Sequence, residues 1–175
     1  MGKVIMLTGG ARSGKSRYAL ELVRSRGRKA FIATATACDG EMAERIARHR
    51  EERSGDFVTI EEPMDLAGAV RSLPAGTDVA IVDCLTVWLG NLMHHSGGIA
   101  GQPPEVDAFL ETLRNPPCDL VIVTNEVGMG IVPDNELGRK FRDLAGILNA
   151  RVAGIAANVV LLVSGIPIHI KGGGL

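Results

Sequence analysis

No Cys-x-x-Cys pair occurs in this 175-residue sequence, and its three cysteines, Cys38, Cys84 and Cys118, are odd in number and widely spaced. That argues against a zinc knuckle or a disulfide framework and fits a reducing compartment. An excess of one charge sign is also missing. Nineteen Lys and Arg stand against 20 Asp and Glu, for a formal net charge of −1. Proteins that hold nucleic acid or anionic membranes through their surface field carry a large basic excess, so neither is expected as a partner. No apolar run approaches the ~20 residues that a spanning helix needs. Met1 leads at once into an apolar strand, without the regions of a signal peptide. The expected location is the cytoplasm, with no membrane insertion.

What is present is the composition of a globular chain, 46% hydrophobic and 22% charged, at a length that suits one domain of about 100–200 residues. Residues 1–171 read as a single catalytic domain and 172–175 as a flexible tail. Short apolar runs alternate with amphipathic ones. Val4–Thr8, Ala30–Thr34, Phe57–Glu61, Val79–Asp83, Leu120–Thr124 and Val159–Ser164 read as strands, several of them apolar throughout as in sheets covered on both faces. Ser16–Arg26, Glu41–Arg53 behind an Asp39 cap, Asp65–Leu73, Leu85–Met93 and Asn135–Ala153 carry helical spacing. His94–Pro104 is Gly-rich and unpatterned, and reads as a loop. Alternation of this kind predicts an α/β fold, a mostly parallel sheet flanked by helices. A turn at Gly165-Ile166-Pro167 would send Ile168–Lys171 back as an antiparallel edge strand.

The strongest motif is Gly9-Gly10-Ala11-Arg12-Ser13-Gly14-Lys15-Ser16, which satisfies G-x-x-x-x-G-K-[ST] between a strand and a helix. Backbone N–H groups of such a loop wrap phosphates, and the helix N-terminus favours their charge. Lys15 would bridge the terminal phosphates and the Ser16 hydroxyl would bind Mg²⁺. Val79–Asp83 has the form of a strand ending in a metal-holding carboxylate, which makes Asp83 the second Mg²⁺ ligand. Met42, Ile46, His49 and Arg53 fall on one face of their helix. A neutral imidazole there can attack an α-phosphate, with Arg45, Arg50 and Arg53 near enough in sequence to offset phosphate charge. On residue pattern alone, the commoner reading of His49 is a solvated histidine on a charged helix. Thr124–Pro133 leaves a strand at the edge that lines ligand crevices in open α/β sheets. It reads equally as a substrate loop or as an ordinary Gly-rich connection.

Together these motifs resemble the bifunctional adenosylcobinamide kinase/adenosylcobinamide-phosphate guanylyltransferase family. The resemblance rests on Thr8–Ser16, Ile32-Ala33-Thr34, Glu41-Met42 with Arg45, Ile46, His49 and Arg53, and Asp83-Cys84-Leu85-Thr86 with Trp88 and Asn91-Leu92. It continues through Val123–Pro133, Phe141-Arg142-Asp143 with Gly146 and Asn149, and Gly165-Ile166-Pro167. The resemblance implies a RecA-like P-loop fold assembled as a homotrimer, with ATP and GTP as substrates. A nucleoside triphosphate would phosphorylate adenosylcobinamide, and GTP would then give GMP to that phosphate through a GMP-histidine, His49 being the aligned residue. It further implies nucleotide contacts at Gly9, Gly10, Ala11, Arg12, Ser13, Gly14, Lys15, Ser16, Ala33, Thr34, Ala35, Arg50, Glu51, Glu52, Arg53, Glu61 and Asp83. Ala150 and Asn158 depart from the family pattern, where Gln and Asp are usual. Competing readings are a single-function P-loop small-molecule kinase and a RecA-type ATPase module. No N-K-x-D guanine-reading motif supports a regulatory GTPase.

Overall fold

The computed structural model describes residues 2–36, 55–97 and 101–173. Its strands are β1 (Val4–Gly9), β2 (Lys29–Ala33), β3 (Phe57–Glu61), β4 (Val79–Asp83), β5 (Asp119–Val123), β6 (Asn158–Val163) and β7 (Ile166–Lys171). They form one seven-stranded sheet in the order β3-β2-β4-β5-β1-β6-β7. Every neighbouring pair is parallel except β6–β7. The described helices are α1 (Lys15–Leu22), α2 (Leu66–Arg71), α3 (Leu85–His95), α4 (Pro104–Arg114) and α5 (Glu136–Ile155).

Strand alternation assigns the side chains to two layers. Val4, Met6, Ile32, Val82, Leu120 and Ile122 pack under α2, α3, α4 and α5 around the fully buried Trp88 and Phe109. Leu7, Phe31, Ile81, Val121 and Val123 point to the opposite face, where Ala19 of α1 and Val23 just beyond it cover them. Continuous apolar strands are therefore required, because each successive side chain enters a core.

Several boundaries differ from the sequence expectations for local reasons. Asp65 and Asn135 are caps rather than first helical residues, their side chains accepting the Gly68 and Gly138 N–H groups. After Leu22 the chain tightens into turns, Arg24 N–H reaching Glu21 O at 3.2 Å and Arg26 N–H reaching Val23 O at 3.0 Å. The final hairpin turns earlier than expected, at Ser164-Gly165, with φ of 52° and 83°. Two positive φ values fit a two-residue turn whose twist matches the strands. Val163 therefore pairs with Ile166, and Pro167 falls inside β7, where an edge strand tolerates it.

Helix α4 is an element the sequence reading passed over. Its signals are ordinary: Pro104 in the first turn, Glu105 and Asp107 near the N-terminus, and Val106, Phe109, Leu110 and Leu113 buried on one face.

Candidate active site

The parallel register sets the site. Leu7 pairs with Val123, Val123 with Asp83, Asp83 with Ala33, and Ala33 with Glu61. These five residues thus form one row across the C-terminal ends of β1, β5, β4, β2 and β3. Ligands of open α/β sheets bind along that edge. The row brings Asp83, Ala33 and Glu61 to the side from which the Gly9–Ser16 loop emerges. Neighbouring strands lie about 4.8 Å apart, so Glu61 stands roughly 19 Å from β1 across the sheet.

The loop is held by backbone that only small residues permit. Gly9 has φ 146°, and a Cβ there would collide with the Leu162 carbonyl and the Ser13 hydroxyl. Gly14 caps α1 at φ 93°. From outside, Gly165 N–H donates to Ser13 O at 3.0 Å, so the β6–β7 turn braces the loop. Lys15 is 6% exposed. Its Nζ donates to Gly9 O at 3.1 Å, Gly10 O at 2.6 Å and the Ser13 Oγ at 3.4 Å. Burial pushes its pKa below the ordinary value, against the opposing influence of Cys84 and Asp83. The ammonium is therefore held among loop carbonyls at the place where phosphates would arrive.

Asp83 is half-buried at the end of β4. The next residue, Cys84, follows a cis peptide bond and is buried, its thiol pushed up to about 11 by burial, with Asp83 adding to the shift. It is no nucleophile near neutral pH, since the thiolate is the reactive form. Thr34 is fully buried; its hydroxyl accepts from Cys84 N–H at 2.8 Å and donates to Cys84 O at 2.9 Å. Asn91 of α3 donates to Thr34 O at 2.8 Å and Pro63 O at 3.1 Å. The Ala33–Ala35 segment is thereby fastened to the Asp83–Cys84 corner. Ser16 and Asp83 offer a hydroxyl and a carboxylate, hard oxygen donors that suit Mg²⁺.

A second buried network anchors the Thr124–Pro133 connection. The Thr86 hydroxyl lies 3.3 Å from that of Thr124 and accepts from Asn125 N–H at 2.7 Å. Thr124 donates to the Asn149 Oδ1 at 2.8 Å, and the Asn149 amide donates to Asn125 O at 3.0 Å. Glu126 N–H donates to Gly9 O at 3.0 Å, joining the connection to the phosphate loop. Its tip carries Met129, Ile131 and Val132, with Ile131 96% exposed.

The sequence reading carried Thr86, Asn91 and Asn149 only within the resemblance, and Gly165 only there and as a turn residue, without the contacts they make at the site. A visible signal existed for Asn149, a polar residue inside the apolar stripe Ala145, Leu148, Val152 of α5. His49, Arg50, Glu51, Glu52, Arg53 and Cys38 lie outside the described residues.

A family model described as cobinamide kinase / cobinamide phosphate guanyltransferase matches residues 5–170. The chain belongs to that family. It is 42% identical over 172 residues to the bifunctional adenosylcobalamin biosynthesis protein CobP of Pseudomonas aeruginosa, covering 95% of this chain and 96% of that protein. It is 39% identical to CobU of Salmonella typhimurium and 37% to CobU of Escherichia coli, each over 96% of this chain and 99% of the relative. The family's two activities, cobinamide kinase and cobinamide phosphate guanyltransferase, are accordingly those of this enzyme. Among solved structures it resembles the RadB recombinase, with a TM-score of 0.52 at 16% identity over 91% of this chain and 74% of that one. It also resembles an ATPase of the type III secretion system of pathogenic bacteria, with a TM-score of 0.55 at 12% identity over 92% and 51% of the two chains. These likenesses show the fold, a RecA-like P-loop sheet.

Proposed function

We propose that one nucleotide site at the Gly9–Ser16 loop serves both activities of the family. In the first, a nucleoside triphosphate, ATP or GTP, gives its γ-phosphoryl group to the aminopropanol hydroxyl of adenosylcobinamide. In the second, His49 attacks the α-phosphate of GTP, releases pyrophosphate and passes GMP to adenosylcobinamide phosphate. The observation that carries this reading is the register row, which sets Asp83, Ala33 and Glu61 along the sheet edge from which the phosphate loop emerges. Gly9, Gly10, Ala11, Arg12, Ser13, Gly14, Lys15 and Ser16 hold the triphosphate, and Ala33, Thr34, Ala35 and Glu61 form the side remote from it. Ser16 and Asp83 hold Mg²⁺, which when bound offsets charge on the phosphate oxygens. Arg50, Glu51, Glu52 and Arg53 complete the nucleotide contacts next to His49. The exposed apolar tip of Thr124–Pro133 supports a place there for the large corrinoid acceptor.

The domain is read as residues 1–171, working in the cytoplasm. A homotrimer is read from the family resemblance. It is supported by the outer strand β7, whose Ile166, Ile168 and Ile170 are exposed on a sheet edge, a surface that natural proteins usually cover.

Mass spectrometry of the intact protein after GTP and Mg²⁺, without cobinamide, tests the covalent step. The expected product is one GMP adduct mapped to His49, labile in acid and stable in alkali as a phosphoramidate. His49→Ala should lose the adduct and guanylyl transfer while keeping kinase turnover, because direct phosphoryl transfer needs no enzyme nucleophile. Wild-type labelling of His49→Ala, or an adduct on His94, His95 or His169, would remove His49 from the mechanism.

A further inference from the structure

The kinase step needs a group that accepts the proton of the attacking hydroxyl, and among the described residues of the proposed site Lys15, Asp83 and Glu61 are not placed to do so. Lys15 is a cation among loop carbonyls, Asp83 is engaged with the metal in the proposed site, and Glu61 stands roughly 19 Å away across the sheet.

Strand β5 runs between β1 and β4. Its last residue, Val123, pairs on one side with Leu7, two residues before the phosphate loop, and on the other with Asp83. The backbone leaving β5 therefore enters the gap between the loop and Asp83, about 4.8 Å from each strand. Three residues on, Glu126 is fixed there by its N–H bond to Gly9 O at 3.0 Å. Its neighbour Asn125 is held from both sides by Thr86 and Asn149. Glu126 is half-buried, and its Oε1 accepts from Gly128 N–H at 3.0 Å. Among the described residues no Lys, Arg or His forms an ion pair with it. An ionised carboxylate has acceptor capacity left after one such bond.

We infer that Glu126 is the general base of the cobinamide kinase step. The cobinamide hydroxyl oxygen attacks the γ-phosphorus and forms the new P–O bond. The bond from that phosphorus to the β,γ-bridging oxygen breaks, and the nucleoside diphosphate leaves with its electron pair beside Lys15. The hydroxyl proton passes to the Glu126 carboxylate and from there to solvent. The assignment rests on the kinase half of the proposed function. The exposed apolar tip, the proposed place of the acceptor, follows a few residues further along the same connection.

A purely local role exists for the same side chain, closing the Glu126–Gly128 turn through its hydrogen bond, and isosteric substitution separates the two. Glu126→Gln keeps an amide oxygen for Gly128 N–H and removes the basicity; Glu126→Ala removes both. Steady-state cobinamide phosphorylation is measured for wild type and both variants, with thermal melts. The expected result is a fall in kcat of about 10²–10⁴ for Glu126→Gln, little change in either KM, and a similar loss for Glu126→Ala. A Glu126→Gln enzyme turning over like wild type, while Glu126→Ala fails, would make the residue a turn-former and overturn the inference. So would a rise in KM with kcat unchanged. A wild-type protein that phosphorylated no cobinamide would remove the proposed kinase reading, and the role of Glu126 with it.

Discussion

At the scale of single residues, the site depends on a few polar groups whose surroundings fix what they can do. Asp83 ends β4 half-buried, at the sheet edge where the phosphates bind in the proposed site. Its neighbour Cys84 is tied at both backbone atoms by Thr34, so the corner keeps its shape without the Asp83 charge. Asp83→Asn is therefore expected to change stability by no more than about 1 kcal/mol. Mg²⁺-dependent turnover should fall on the order of 10²–10³, the range for losing one electrostatic contact in the transition state. Thermal melts set beside activity titrated against Mg²⁺ separate the effects, and a large loss of stability with normal metal dependence would make Asp83 structural. That Lys15 and Ser16 open a helix behind a Gly-rich loop, and that Asp83 ends a strand, was legible in the sequence from the loop motif and the apolar run before Asp83. Thr34 entered only through the resemblance, as part of an expected nucleotide segment. That its hydroxyl spends both bonds on Cys84 depends on a strand pairing between residues 50 positions apart, which no local pattern encodes.

At the scale of elements, strands β1 to β6 could be read because most are short apolar runs set between longer helical patterns. The registers could not, and they create the row from Leu7 to Glu61. The Gly165 turn shows the same limit. Its glycine was visible, but not its bond to Ser13, which needs β6 beside β1. Helix α4 was passed over although its apolar stripe was present, because the Gly-rich stretch before Pro104 hid where it starts. Asn149 shows how one helix serves the site. It accepts from Thr124 and donates to Asn125 O, which pins α5 to the root of the Thr124–Pro133 connection. Asn149→Ala leaves those partners without it, and a buried polar group left unmatched costs about 1–3 kcal/mol. Calorimetry should show the melting midpoint lowered by roughly 2–4 °C for each kcal/mol in a chain of this size. A variant that melts with wild type would mean that the network relaxes without Asn149.

At the scale of the whole molecule, the proposed function joins two chemistries to one phosphate loop. Phosphoryl transfer attacks the γ-phosphate and nucleotidyl transfer the α-phosphate, so both need the triphosphate held in one orientation. In the proposed site Lys15 is the charge that sets it, buried at 6% exposure among the carbonyls of its own loop. If the two half-reactions used separate nucleotide sites, Lys15 would matter to only one of them. The most direct measurement is thus the rate of each half-reaction, assayed separately, in Lys15→Ala: phosphorylation of cobinamide, and guanylyl transfer to cobinamide phosphate supplied ready-made. The shared site predicts that both fall by about 10²–10³; either one proceeding at the wild-type rate would contradict it.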